Sequence, residues 1–192
     1  MQLNLKHYAD YFSMSLALGL CSHAEIIAWV DQLIEHEDQL EDWMIELSTS
    51  ASKHPLDVMH LLDSVPGERN VEISMRLLIA KLGIVHPRLL AENNRFAKPE
   101  HSRLLSRLYS LITGDDCLPD DIRGSIYQID CDLDYVEQGY GDWSIIERDY
   151  DELLATASDY KQLIHFQFDF HIVMGGCCAS HITSTLQRNE GL

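Results

Sequence analysis

The densest set of side chains able to bind a metal or act as nucleophiles falls near the C-terminus: His165, Asp169, His171, Cys177, Cys178 and His181. Between 164 and 172, Ile164, Phe166, Phe168, Phe170 and Ile172 alternate with His165, Gln167, Asp169 and His171, the period of a strand. A strand would put His165, Asp169 and His171 on one side, two imidazoles and a carboxylate of the kind that iron or zinc accepts. On a helix, His165 and Asp169 still meet at i, i+4, and Cys177 or Cys178 reaches His181 at helical spacing. A metal- or thiol-dependent enzyme is therefore one reading of this cluster. Against it, neither Cys-x-x-Cys nor His-Glu-x-x-His is present. The competing account buries the phenylalanines in a core, turns the polar residues between them to water and treats the thiols as small apolar groups. On that account the chain holds no metal and no cofactor.

A second candidate is Asp130-Cys131-Asp132-Leu133-Asp134, which has the alternating acids of a calcium loop. An EF-hand needs glycine after the third acid and glutamate at position twelve, but Tyr135 and Gly141 stand there. A seam of apolar residues also passes through this stretch, so it reads as helix, with Asp130 and Asp134 on one face and Asp132 off it. His54, His60, His86 and His101 are scattered over predicted helix ends and faces. No dinucleotide fingerprint, phosphate loop or nucleophile elbow occurs. Catalytic residues are not assigned.

Charge layout is the clearest functional signal. The formal net charge is −17, which repels nucleic acid and anionic lipid and favours a basic partner. Residues 23–46 hold eight acids and no Lys or Arg. Residues 115–152 hold 13 acids against Arg123 and Arg148, whereas residues 69–107 hold eight Lys or Arg against Glu72, Glu92 and Glu100. Either these segments neutralise one another inside the fold, or the acids form a docking surface for a cationic protein. In the second case Asp115, Asp116, Asp120, Asp121, Asp130 and Asp134 are the expected contact residues.

The elements that would position these residues are helical. An apolar stretch from Tyr11 ends at Leu18-Gly19-Leu20-Cys21, with Gly19 at a left-handed stop. Ser22 and Glu25 then form a capping box ahead of the stripe Ile26, Ile27, Val30, Leu33 and Ile34, so the chain opens as two helices folded together. Asp38 to Glu41 is a second capping-box candidate, for a helix burying Leu40, Met44 and Leu47. Pro55 starts the next helix, and Asn70 caps a segment, 73–82, that is apolar almost all round and therefore central. Leu82-Gly83-Ile84 echoes Leu18-Gly19-Leu20 and predicts another glycine stop, hinting at a repeated unit. Pro87 and Pro99 open further helices, the latter with the stripe Leu104, Leu105, Leu108, Leu111 and Ile112. Ile122, Ile126, Ile129, Leu133 and Val136 make the most regular seam, over 120–138. A partner helix, capped by Asp142 or Ser144, carries Ile146, Tyr150, Leu153, Leu154 and Ala157. Trp29 and Trp43 flank apolar stripes.

At 192 residues the chain suits one domain, with 1–67 and 68–192 as candidate lobes. Short connections predict an all-α bundle of roughly eight to ten antiparallel helices. By context 164–172 joins that bundle as helix, with a short strand as the alternative. Five cysteines without framework spacing read as reduced thiols in a cytoplasmic protein. Tyr11 to Cys21 imitates a signal h-region, but Leu20 stands where a small residue is needed and Asp10 with His7 makes a poor basic n-region. No run approaches the roughly 20 apolar residues of a membrane span.

The segment Ala17-Leu18-Gly19-Leu20-Cys21-Ser22-His23-Ala24-Glu25-Ile26-Ile27-Ala28-Trp29-Val30-Asp31 resembles a helix-turn-helix opening of small, acidic, all-helical bacterial proteins, several of them similar to immunity proteins of polymorphic toxin systems. The resemblance implies a cytosolic, non-enzymatic binder that docks on a toxin domain. It supplies no catalytic residues. The expectation is thus an acidic protein–protein interaction module, monomeric or homodimeric through an exposed Phe166 and Phe168 edge, with the metal or thiol enzyme as the rival.

Overall fold

The computed structural model describes residues 3–37, 39–87, 98–112 and 118–164. Helix α1 (Leu5–Leu18) starts at Asn4, whose side chain accepts from the His7 N–H at 3.0 Å while His7 Nδ1 accepts from the Asn4 N–H at 3.2 Å. This is a capping box with imidazole in the usual place of Glu or Gln. The helix stops at Gly19, whose φ of 75° lies in the left-handed region that a Cβ disfavours. Helix α2 (His23–His36) opens on the expected box: Ser22 Oγ accepts from the Glu25 N–H, and the Ser22 N–H donates to Glu25 Oε2 at 2.9 Å. Trp29 does more than flank its stripe. It is fully buried, with Phe12 of α1 at 5.0 Å and Trp43 at 6.3 Å between ring centroids.

Helix α3 (Asp42–Ser48) begins later than the predicted Asp38 to Glu41 box, and Leu40 is half exposed rather than buried. The Glu41 carboxylate accepts from Trp43 Nε1 at 2.8 Å and gives the helix no side-chain cap. Starting at Asp42 turns Trp43, Met44 and Leu47 inward together. A 3₁₀ turn, Ser50–Ser52, leads to α4 (Pro55–Asp63), with Pro55 in its first turn and Val58 and Leu62 buried.

Helix α5 (Val71–Val85), capped by Asn70 through the Ile73 N–H, is buried nearly all round, as its sequence predicts. Gly83 overturns the expected stop. It lies inside α5 without a positive φ, and a Cβ there would come within 3.2 Å of Leu154 Cδ2. Close packing, not a turn, requires this glycine, and the proposed echo of Gly19 is no repeat.

Helices α6 (Lys98–Ile112), α7 (Asp120–Glu137), α8 (Trp143–Ala155) and the single turn α9 (Lys161–Ile164) complete the bundle, with a second 3₁₀ turn at Ser158–Tyr160. Helix α5 packs against α1, α8 and α9; α1 also meets α4 and α6; α2 and α3 pack on each other; α6, α7 and α8 pack in succession. One apolar cluster runs from Leu3 to Ile164 and crosses the 67/68 position. The fold is all-α, and among the described residues no strand occurs. Ile164 is helical; His165, Asp169, His171, Cys177, Cys178 and His181, with Phe166 and Phe168, lie outside the described residues. No described helix is long and apolar enough to cross a membrane.

Candidate functional site

Within the second acid-rich segment, α7 and α8 form a helical hairpin. Ile122, Ile126, Ile129, Leu133 and Val136 are all buried along one face of α7, and Ile146, Tyr150, Leu153 and Leu154 along the facing side of α8. With the seam inward, the opposite face of α7 must carry Tyr127, Cys131, Asp134 and Tyr135, flanked by Asp130. Tyr127 and Tyr135 are 56% and 50% exposed, and Tyr140 in the following turn is 68% exposed. Three ring-sized apolar surfaces thus stand uncovered among carboxylates.

The turn between the helices holds two of these rings together. Gly139 has φ 84°, and the Tyr140 N–H returns to the Tyr135 carbonyl at 3.1 Å. At Gly141 a Cβ would lie 2.8 Å from Tyr135 Cδ1, so glycine leaves the space that Tyr135 occupies. The Tyr135 and Tyr140 centroids are 5.7 Å apart, and Tyr127 sits 6.4 Å from Tyr109 of α6. Neighbouring rings that limit each other's rotamers reduce the entropy lost on binding.

The six predicted contact residues divide. Asp115 and Asp116 lie outside the described residues. Asp120 is exposed in the first turn of α7, where the helix dipole favours a carboxylate. Asp121 is bound: Arg76 of α5 donates to it at 3.1 Å, to Glu72 at 3.0 Å and to the Thr156 carbonyl at 2.6 Å. Asp130 and Asp134 come together one turn apart, and among the described residues neither forms an ion pair. Burial, and then the charge of Asp134, hold the Asp130 carboxyl above its ordinary range.

Asp132 faces α8 instead. It accepts from Gln128 Nε2 at 2.7 Å and lies near Asp149, which is 5% exposed and takes Arg148 Nη2 at 2.7 Å on Oδ1, while its Oδ2 has no hydrogen-bond partner. Burial first, and the neighbouring Asp132 carboxyl second, raise the Asp149 carboxyl, with Arg148 opposing. A calcium loop is not formed: Asp130, Asp132 and Asp134 are spread around a continuous helix. Among the described residues, no three His, Cys, Asp or Glu side chains converge on a common point that could hold a metal.

The first acidic segment is partly neutralised. Lys81 donates to Glu25 at 2.6 Å; burial opposes ionisation of Glu25, but the bonds from Lys81 and Ser22 outweigh it and hold the carboxyl below its usual range. Internal neutralisation therefore accounts for Glu25 and Asp121 and leaves the outer face of α7 uncompensated. Sequence reasoning singled out Asp130 and Asp134 as expected contact residues and did not single out the tyrosines. Their signal was positional: Tyr127 and Tyr135 fall off the isoleucine seam. Cys21, the other described thiol besides Cys131, is buried, and that burial pushes it up to about 12, so it is inert.

Comparison with family models, with curated proteins and with solved structures found no match for the chain.

Proposed function

We propose that this chain is a non-enzymatic binding module that docks a basic protein on the outer face of α7, with Asp120, Asp130 and Asp134 as charge partners and Tyr127, Tyr135 and Tyr140 as anchors. The observation that carries this reading is the interleaving of exposed tyrosines with carboxylates that no described cation pairs, on one helix backed by a continuous apolar seam. Protein interfaces are enriched in tyrosine, and their energy concentrates in such aromatic anchors. A tyrosine face beside a carboxylate suits an arginine, which stacks on the ring and pairs with the acid. The net charge would accelerate encounter with such a partner and suppress binding to anionic ones.

The most specific form of this function is neutralisation of a cationic toxin domain, a reading supported by the resemblance of residues 17–31 to the opening of immunity-type proteins. The test separates anchors from charge. Tyr127→Ala with Tyr135→Ala leaves the net charge unchanged and is expected to weaken binding of an arginine-rich peptide by more than about tenfold. Unchanged affinity in that variant would reduce the interaction to unspecific attraction and reject the proposed face.

A further inference from the structure

Among the described residues, the sign of the surface reverses beside α6. A cavity of about 360 Å³ opens where the α1–α2 turn, the end of α5 and α6 meet, and its lining contains His86, His101, Arg103 and Arg107 but no acid. In a chain with 31 Asp and Glu against 14 Lys and Arg, a concave site with only cationic and imidazole polar side chains is not an average sample of the surface. Its size falls within the usual range for small-molecule sites.

The parts are held from different elements. His86 caps α5: its N–H donates to the Leu82 carbonyl at 2.8 Å, and its carbonyl accepts from Tyr150 Oη at 2.8 Å. His101, on α6, is buried and meets the His86 ring edge-on at 5.7 Å. Leu18, Leu20 and Leu104 are also buried and make the inner wall apolar. Arg103 and Arg107 stand one turn apart on α6, both exposed, at the mouth. Like charges at i, i+4 disfavour a helix. Elsewhere Lys6, Arg69, Arg76, Lys81 and Arg148 each pair with an acid, but among the described residues Arg103 and Arg107 form no ion pair.

The geometry points to a binding site for a small organic oxyanion, its phosphate or carboxylate held between Arg103, Arg107 and the two histidines and its apolar body against Leu18, Leu20 and Leu104. Paired guanidiniums bind such groups through charge-assisted, often bidentate hydrogen bonds, and the leucine wall excludes water from the remainder. This site is independent of the α7 face and opposite to it in charge.

Titration of the full chain by NMR with phenyl phosphate, benzoate, inorganic phosphate and benzyl alcohol tests the assignment. Phenyl phosphate or benzoate is expected to give saturable shifts at the His86 and His101 rings, with whichever binds better identifying the headgroup. Inorganic phosphate should bind more weakly, for want of an apolar body, and benzyl alcohol should cause no saturable shift. Arg103→Gln with Arg107→Gln, two exposed helical positions where glutamine is well tolerated, should weaken binding by more than about tenfold. No saturable shift up to about 10 mM of either aromatic anion, far above the range of a functional site, would overturn the site. So would wild-type affinity in the double variant, or equal binding of benzyl alcohol.

Discussion

Replacing Asp149 with asparagine should stabilise the protein at neutral pH, although it removes a charge that is paired with arginine. Asp149 is buried between α7 and α8, and its Oδ2 has no hydrogen-bond donor. The Asp132 carboxylate is a neighbour, so ionisation sets two negative groups against each other. Leaving one buried oxygen without a donor costs about 1–3 kcal/mol. Asparagine supplies the missing donor through its amide, and its carbonyl can still accept from Arg148, whose guanidinium is largely exposed and screened. The expected net gain is about 1 kcal/mol, or about 2–4 °C in Tm for a domain of this size.

The pH dependence gives the signature. The folded pKa of Asp149 lies above the ordinary 3.8. Between those values the folded chain binds more protons than the unfolded one, so Asp149 makes stability fall as pH rises through that window. The advantage of Asp149→Asn should therefore be full near pH 7 and shrink towards pH 3.8. Urea denaturation followed by circular dichroism across that range measures it. A loss of 1 kcal/mol or more at pH 7, or a gain independent of pH, would refute the reasoning.

Gly124→Ala should stabilise by about 0.5–1 kcal/mol, because Gly124 lies within α7 and a Cβ there meets nothing within 4 Å; thermal unfolding checks it. Gly83→Ala should destabilise despite its helical setting, since Leu154 Cδ2 lies 3.2 Å from the new Cβ and overpacking costs about 1–3 kcal/mol; equal or higher Tm would contradict the close-packing account. Burial lowers the His7 pKa below 6.5 despite Asp10 and Glu68, and its neutral Nδ1 caps α1. With the folded value depressed, the folded chain binds fewer protons, so stability should fall as pH drops from 6.5 through the folded pKa. His7→Gln, which keeps an acceptor in the capping box, should remove that slope in denaturation curves.

Features written in a few adjacent residues were legible from sequence. The Ser22 and Glu25 box, the Asn70 cap, the Gly19 stop and the α7 seam each depend on spacing within one or two helical turns. Gly83 was not, because its local setting of Leu-Gly-Ile matches that of Gly19, while its reason lies 71 positions away at Leu154. Leu40 was misplaced because Glu41 engages the Trp43 indole instead of closing a box. The Asn4 cap was hidden by its unusual partner, a histidine.

Charge totals located the candidate site only roughly. They could not reveal that Lys81 takes Glu25 or that Arg76 takes Asp121, pairings made by helix packing. Nor could they show that the tyrosines stand exposed beside these acids. Periodicity shows that Tyr127 and Tyr135 point away from the seam, but whether another element covers them depends on the whole bundle. The cavity lined by arginine and histidine is likewise assembled from three separated segments, with no motif in any one of them.

The most direct test of the docking face is to map where a cationic ligand binds. An arginine-rich peptide titrated into the ¹⁵N-labelled chain should shift amides of Tyr127, Asp130, Asp134, Tyr135 and Tyr140 and leave the acids of α2 little changed. Affinity should fall more than about tenfold between about 50 and 500 mM salt, as screening removes the carboxylate contribution. Shifts spread evenly over all acidic segments, or centred on Glu35 and Glu37, would contradict the account.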